Sequence, residues 1–269
     1  MMNALLSKFE NVVIKNDTRI SEVDRAYCEK QEKMYKEAIQ VMQQTLELFK
    51  ELYGTYSVTE KSNYRGYIEE FKDIRNIEDR INDFKSKFIS NIFSHFERSY
   101  NVTLNSSEIR KKYDLSITYQ NIIDEVFEQL GGFNFQEKAV KEIKDASRDT
   151  VYRGDKLTIK KGKLSIQDYV WWSSYSWDNE KKLSYNDSKV RPLFKALSHF
   201  ETGVVETLSY YNNIYDELYK GDKTYDIFSK YELGYNKVKS IKFYKNGKVD
   251  IEFQTQQQAE EFKREYLSN

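Results

Sequence analysis

Both histidines of the chain sit in a repeated tetrapeptide, Ser94-His95-Phe96-Glu97 and Ser198-His199-Phe200-Glu201. Imidazole beside carboxylate is the material of metal ligation and of acid-base catalysis. The two copies lie in opposite halves, however, and one cysteine with no further histidine cannot complete a zinc set. Each copy also fits the end of an amphipathic helix, where an imidazole meets the carbonyl dipoles, so coincidence is the plainer reading. Asp145, Asp149 and Asp155 could serve a magnesium-dependent nuclease, but 43 acidic residues produce such groupings by chance. No calcium-loop or paired phosphoryl-transfer pattern accompanies them. Gly131-Gly132 has no following Gly-Lys to cradle phosphate, and no glycine-rich strand-turn-helix is present to hold SAM or a dinucleotide. The expectation is a protein with no catalytic residues, no metal and no cofactor.

The residues that remain are suited to binding. Tyr169, Trp171, Trp172, Tyr175 and Trp177 include every tryptophan of the chain. Adjacent Trp171 and Trp172 on a strand point to opposite faces, so both are buried only if both faces are covered. Core packing, a protein interface and stacking on nucleobases all stay open, and these five residues are the candidate partner-binding site. Lys156, Lys160, Lys161 and Lys163, with Lys242, Lys245 and Lys248, would form a nucleic-acid surface if folding gathered them on one face. Tyr210, Tyr211, Tyr215 and Tyr219 span more than one face of a helix, as a half-buried helix with phenols reaching water does. A self-association surface has the same appearance.

Composition narrows the setting. Forty-three basic and 43 acidic residues leave no net charge, so the electrostatic footprint of a general DNA or RNA binder is missing. Lone Cys28 excludes an internal disulfide and suits a reducing compartment. The opening Met1-Met2-Asn3-Ala4-Leu5-Leu6 is soon interrupted by Lys8 and Glu10, and no apolar run reaches membrane-spanning length. A cytoplasmic protein is expected. The motif Arg153-Gly154-Asp155 then reads as an ordinary turn, because its use in adhesion needs an extracellular setting.

These residues must be positioned by two kinds of element. Over residues 21 to 53, Val23, Ala26, Tyr27, Met34, Ala38, Val41, Met42, Thr45, Leu46, Phe49 and Leu52 keep one helical face apolar apart from a polar interval near Lys30, giving a rod of about 50 Å. Gly54 and the polar residues after it stop this helix. A second, carrying Phe71, Ile74, Ile77, Ile81, Phe84, Phe88, Ile92 and Phe96, most simply packs antiparallel to the first. Shorter helices are expected after Ser106 and Ser116, the latter stopped by Gly131-Gly132, and over residues 135 to 146. The period then changes to two, with Val151, Leu157, Ile159, Leu164 and Ile166 spaced by two turns as a small meander. Residues 178 to 187 read as a polar loop, and helices return over 192 to 200 and 204 to 219, with Pro192 in a first turn. The fold class is α+β, with a helical domain over 1–115 and an α+β domain over 116–269.

The closing stretch from Ile241 to Phe253 alternates apolar and polar residues about Asn246-Gly247, a pair able to supply positive φ at both centres of a tight turn. A capping box at Thr255 and Gln258 then opens a helix carrying Ala259, Phe262, Tyr266 and Leu267. Aromatic-aromatic-Lys-Asn-Gly, three residues, then aliphatic-x-Phe and a helix resembles the C-terminal signature of an uncharacterised domain family of phages and prophages, some of whose members are fused to SAM-dependent methyltransferases. The segment from Leu193 to Gly203 is similar to the helix that precedes that signature. Relatives often carry His where this chain has Asp250, so any role of that His does not transfer. The chain also resembles the Gabija anti-defence proteins. That likeness implies a non-enzymatic homo-oligomer that embraces a host nuclease-helicase defence complex and blocks its access to DNA. The alternative is a nucleic-acid-binding accessory module of phage DNA modification.

Overall fold

A computed structural model of the chain describes residues 16–55, 70–151, 157–174 and 180–268. The chain is α+β and divides into two compact units, Met1–Phe133 and Asn134–Asn269.

The first unit is helical. Helix α1 (Glu22–Thr55) and helix α2 (Glu70–Tyr100) form a long antiparallel hairpin, followed by α3 (Ile109–Lys112) and α4 (Tyr119–Leu130). Ser21 caps α1 by accepting from the Asp24 amide at 3.1 Å. The seam of the hairpin repeats at spacings of four and three: Cys28, Glu32, Tyr35, Ile39, Met42, Leu46 and Phe49, the regime of knobs-into-holes packing. Tyr35 stacks on Phe88 with centroids 4.6 Å apart, and Ile81, Phe88 and Ile92 are buried. The expected inner face of α1 is therefore split. Val23, Met34 and Val41 share helical spacing with the seam residues but lie on the neighbouring arc, and they remain exposed. Gly54 does not end the helix, which runs on to Thr55.

The first unit extends past the expected boundary at 115 because α4 needs cover for Ile122, Ile123, Val126 and Leu130, all fully buried. Tyr35 Oη donates to the Leu115 carbonyl at 2.9 Å, and the Tyr119 amide donates to Glu32 at 2.7 Å. Thr118 and Asn121 form a capping box at the start of α4, and Gly131, at φ +64°, ends it.

The second unit is a two-layer α+β structure. After α5 (Phe135–Arg148) come strands β1 (Leu157–Lys160) and β2 (Lys163–Ile166), then β3 (Trp172–Ser174) and β4 (Lys181–Leu183). Helices α6 (Val190–Thr202) and α7 (Ser209–Lys220) lead to β5 (Lys230–Glu232), β6 (Val238–Phe243), β7 (Val249–Phe253) and α8 (Gln256–Phe262), which widens into a π turn, Lys263–Leu267. The main sheet is antiparallel in the order β1-β2-β7-β6-β5, with β3-β4 as a separate pair. Leu164, Ile166, Ile241, Phe243, Val249, Ile251 and Phe253 form its buried face and share one core with Leu193, Phe194, Leu197, Phe200, Tyr211 and Phe262 of the helices.

One of the two hairpin turns matches expectation and the other differs. Lys161 and Gly162 both have positive φ (52° and 76°), so the tight two-residue turn joins β1 to β2. In the β6-β7 hairpin only Gly247 is positive (81°): its amide donates to Tyr244 O at 2.9 Å and the Tyr244 amide to Lys248 O at 3.0 Å. This is a three-residue loop, a type I turn closed by a glycine bulge. The expected polar loop over 178–187 contains β4, because Leu183 is buried and the Lys181 carbonyl accepts from the Asp222 amide. Val151 is outside the strands, and the Arg153-Gly154-Asp155 turn lies outside the described residues.

Candidate functional site

Segment 168–172 is clamped onto the tip of the β6-β7 hairpin. The Tyr169 and Val170 amides both donate to Gly247 O, at 2.8 and 2.9 Å, and the Trp172 indole N–H donates to Tyr244 O at 2.9 Å. Gly247 is required twice over: its φ is positive, and a Cβ there would stand 2.5 Å from Val170 O. The adjacent indoles take opposite sides. Trp172 is half-buried, edge-on to Phe228 and Phe243, whereas Trp171 is 71% exposed. Recesses of about 400 Å³ and about 340 Å³ adjoin Trp171, the first lined by Asp168, Lys181 and Lys245, the second by Asn186, Asp187 and Lys189. Burial pushes the Asp187 carboxyl up, against the hydrogen bonds it accepts from the Val190 and Lys189 amides, with which it opens α6.

Tyr169 corrects the sequence reading. It is 1% exposed, with its hydroxyl 2.9 Å from Thr150 Oγ1 and 3.1 Å from Lys189 O, and burial pushes the phenol well above its usual range. The ring is a core member and presents no surface to a partner. Tyr175 and Trp177 lie outside the described residues. Sequence reasoning missed Tyr185, which is 82% exposed and follows Ser184, whose amide donates to Trp171 O. The signal was there only if β4 had been recognised inside a polar run.

The pairing of β2 with β7 and of β7 with β6 brings Lys163 and Lys242 onto the outer face of the main sheet. Lys160 flanks Lys163 in β1, and Lys248 reaches Asp250 at 2.9 Å from the hairpin turn. The face is not purely basic. Asp250, 5% exposed, accepts from Ser165 (2.6 Å), Tyr244 (2.8 Å) and Lys248, with Lys163 at 3.8 Å. Burial works against the Asp250 charge, but these hydrogen bonds hold its carboxyl below the usual range. Beside it, hydrogen bonds from Lys230, Lys239 and Ser240 bring Glu252 down to about 2. Lys245 stands apart at the hairpin tip, over the Phe228 ring, Lys161 belongs to the β1-β2 turn, and Lys156 lies outside the described residues.

Each histidine is engaged within its own unit. His95 Nε2 is 2.7 Å from Asp24, which also accepts from Ser21 (2.6 Å) and Tyr100 (2.5 Å), and Tyr27 stacks on the imidazole. Asp24, not the imidazole, is the hub here, accepting from Ser21 and Tyr100 and facing His95. His199 Nδ1 is 2.7 Å from Tyr266 Oη. Asp145 is held by Lys141 and Arg148, and Asp155 lies outside the described residues. Among the described residues no three His, Cys, Asp or Glu side chains converge to hold a metal ion, and no helix is long and apolar enough to cross a membrane.

Fold and surface together define an α+β protein of two units, one a helical hairpin and the other a sheet with an exposed indole at its rim. Searches against family models, curated proteins and solved structures give no match.

Proposed function

We propose that the chain is a non-enzymatic binding protein and that Trp171 anchors a protein partner. The observation that supports this is an indole 71% exposed on a backbone that cannot retreat, fixed by two amides to Gly247 and by the neighbouring indole to Tyr244. Such a backbone is ordered before binding and loses little entropy on contact, and a central Trp commonly accounts for about 2 kcal/mol or more of an interface. The resemblances stated above direct the choice of partner. The hairpin suggests a phage or prophage protein, and the likeness to Gabija anti-defence proteins suggests a bacterial nuclease-helicase defence complex, which the protein would bind as a homo-oligomer in the host cytoplasm and so inhibit. Trp171→Ala should keep the melting profile of the parent while losing co-purification with the defence complex and restoring phage restriction. Undiminished co-purification would remove this reading.

The second reading is a nucleic-acid-binding accessory module. One observation favours it: strand pairing places Lys160, Lys163 and Lys242 on one sheet face. Asp250 and Glu252 in their midst make it the weaker choice. Binding to single-stranded and duplex DNA that falls steeply between low and moderate salt, and that is lost in Lys160→Glu/Lys242→Glu, would promote it.

A further inference from the structure

The Trp171 indole is a wall shared by two recesses, and both contain lysine. Lys181 and Lys245 line the first and Lys189 the second. Among the described residues no carboxylate forms an ion pair with any of the three. Two of them are steadied by rings: Lys245 Nζ stands 5.4 Å from the Phe228 centroid and Lys189 Nζ 5.6 Å from that of Tyr169.

The neighbouring carboxylates are engaged elsewhere. Asp187 accepts from the Lys189 and Val190 amides that open α6, Asp222 accepts from the Lys181 amide at 2.8 Å, and Glu180 lies against Gly221. The Lys189 charge also acts on Asp187, so the surplus of positive charge belongs to the first recess, where Lys181 and Lys245 face Asp168. An exposed indole beside two unpaired ammonium groups calls for an apolar group to cover the ring and anions to meet the lysines. We infer that Trp171 is the centre of a receptor for an acidic peptide segment of the partner protein, with an apolar residue on the indole and carboxylates at Lys181 and Lys245. This rests on the reading of Trp171 as a protein anchor. Asn246 in the first recess and Ser184, Asn186 and Ser188 in the second supply amides and hydroxyls that a peptide main chain can use. A nucleic acid would stack on the same ring, but its phosphates recur at every step, and Asp168 and Asp187 stand one in each recess. A peptide can set neutral groups against them.

The probe is a fluorescein-labelled peptide, acetyl-Glu-Asp-Glu-Leu-Phe-Glu-Asp-Glu-amide, titrated with the full chain by anisotropy. It should bind saturably, and about tenfold more weakly at about 300 mM than at about 50 mM NaCl. The same peptide with lysine at every acidic position, and a labelled oligomer of eight deoxythymidines, should not bind. Lys181→Glu/Lys245→Glu should weaken the acidic peptide about tenfold or more, and Trp171→Ala should abolish its binding. Lys30→Glu/Lys111→Glu, which changes the net charge equally but in the first unit, should leave it unaltered, and all variants should melt as the parent does. No saturable binding of the acidic peptide would overturn the inference, as would tighter binding of the deoxythymidine oligomer that Trp171→Ala removes, the latter in favour of nucleic acid. Loss in Trp171→Ala with no change in Lys181→Glu/Lys245→Glu would overturn the preference for acidic segments and leave the anchor standing. Binding untouched by Trp171→Ala would remove the anchor itself.

Discussion

Gly247 ties local conformation to the candidate surface. Any side chain there meets both a left-handed backbone and the Val170 carbonyl 2.5 Å away, so the turn or the Trp segment must shift. Gly247→Ala should cost about 2–4 kcal/mol by urea unfolding and alter the Trp172 fluorescence; a loss below about 1 kcal/mol would mean the turn yields cheaply. Glu252 gives a pH signature. Its carboxyl titrates near 2 in the folded protein against 4.5 ordinarily, so below 4.5 the unfolded chain takes up the proton first. The stabilisation is complete above 4.5 and disappears as pH falls towards 2. Glu252→Gln should flatten stability against pH in that window and leave the slope above pH 5 as it was. At this scale the sequence was only partly legible. That Trp171 and Trp172 diverge follows from strand geometry, but which of them faces water depends on Phe228 and Phe243, which lie far away in the chain.

Helices were the most readable elements because their signals are local. Gly131, and Thr255 with Gln258, mark boundaries that the structure reproduces, and the helix expected after Ser116 is capped by Thr118. Thr118→Ala removes a side chain that accepts from the Asn121 amide, and should cost about 1 kcal/mol in a thermal melt. Thr118→Ser, which keeps the oxygen, should recover most of it. The strands β4 and β5 were not legible, since three residues such as Lys-Lys-Leu or Lys-Tyr-Glu carry too little alternation to stand out. The hairpin was found but its turn was misassigned, because Asn-Gly serves a two-residue turn and a bulged three-residue loop equally well. The long helix exposed another limit: a periodic pattern says that apolar residues share a face, not how much of that face its neighbour covers.

At the scale of the molecule, the sequence reading set a boundary at 115, whereas the compact units meet between Phe133 and Asn134: Glu32 holds the Tyr119 amide at the start of α4 and Tyr35 holds the Leu115 carbonyl, contacts that sequence spacing does not reveal. Among the described residues, the core of the second unit draws on residues from Ile143 to Leu267. A fragment of residues 134–269 should therefore express as a folded protein with a single cooperative melt, and a broad, featureless melt would show that it depends on the first unit. The sheet order also constrains how the chain is made. The Ser165-Asp250 hydrogen bond across the β2-β7 junction joins residues 85 apart in sequence, and β6 reaches β2 only through β7. A ribosome adding roughly 5–20 residues per second needs about 4–17 s to deliver β7 after β2 has emerged. During that interval β2 carries an open edge beside β1, which makes the nascent chain a substrate for chaperones and a hazard for neighbouring polysomes.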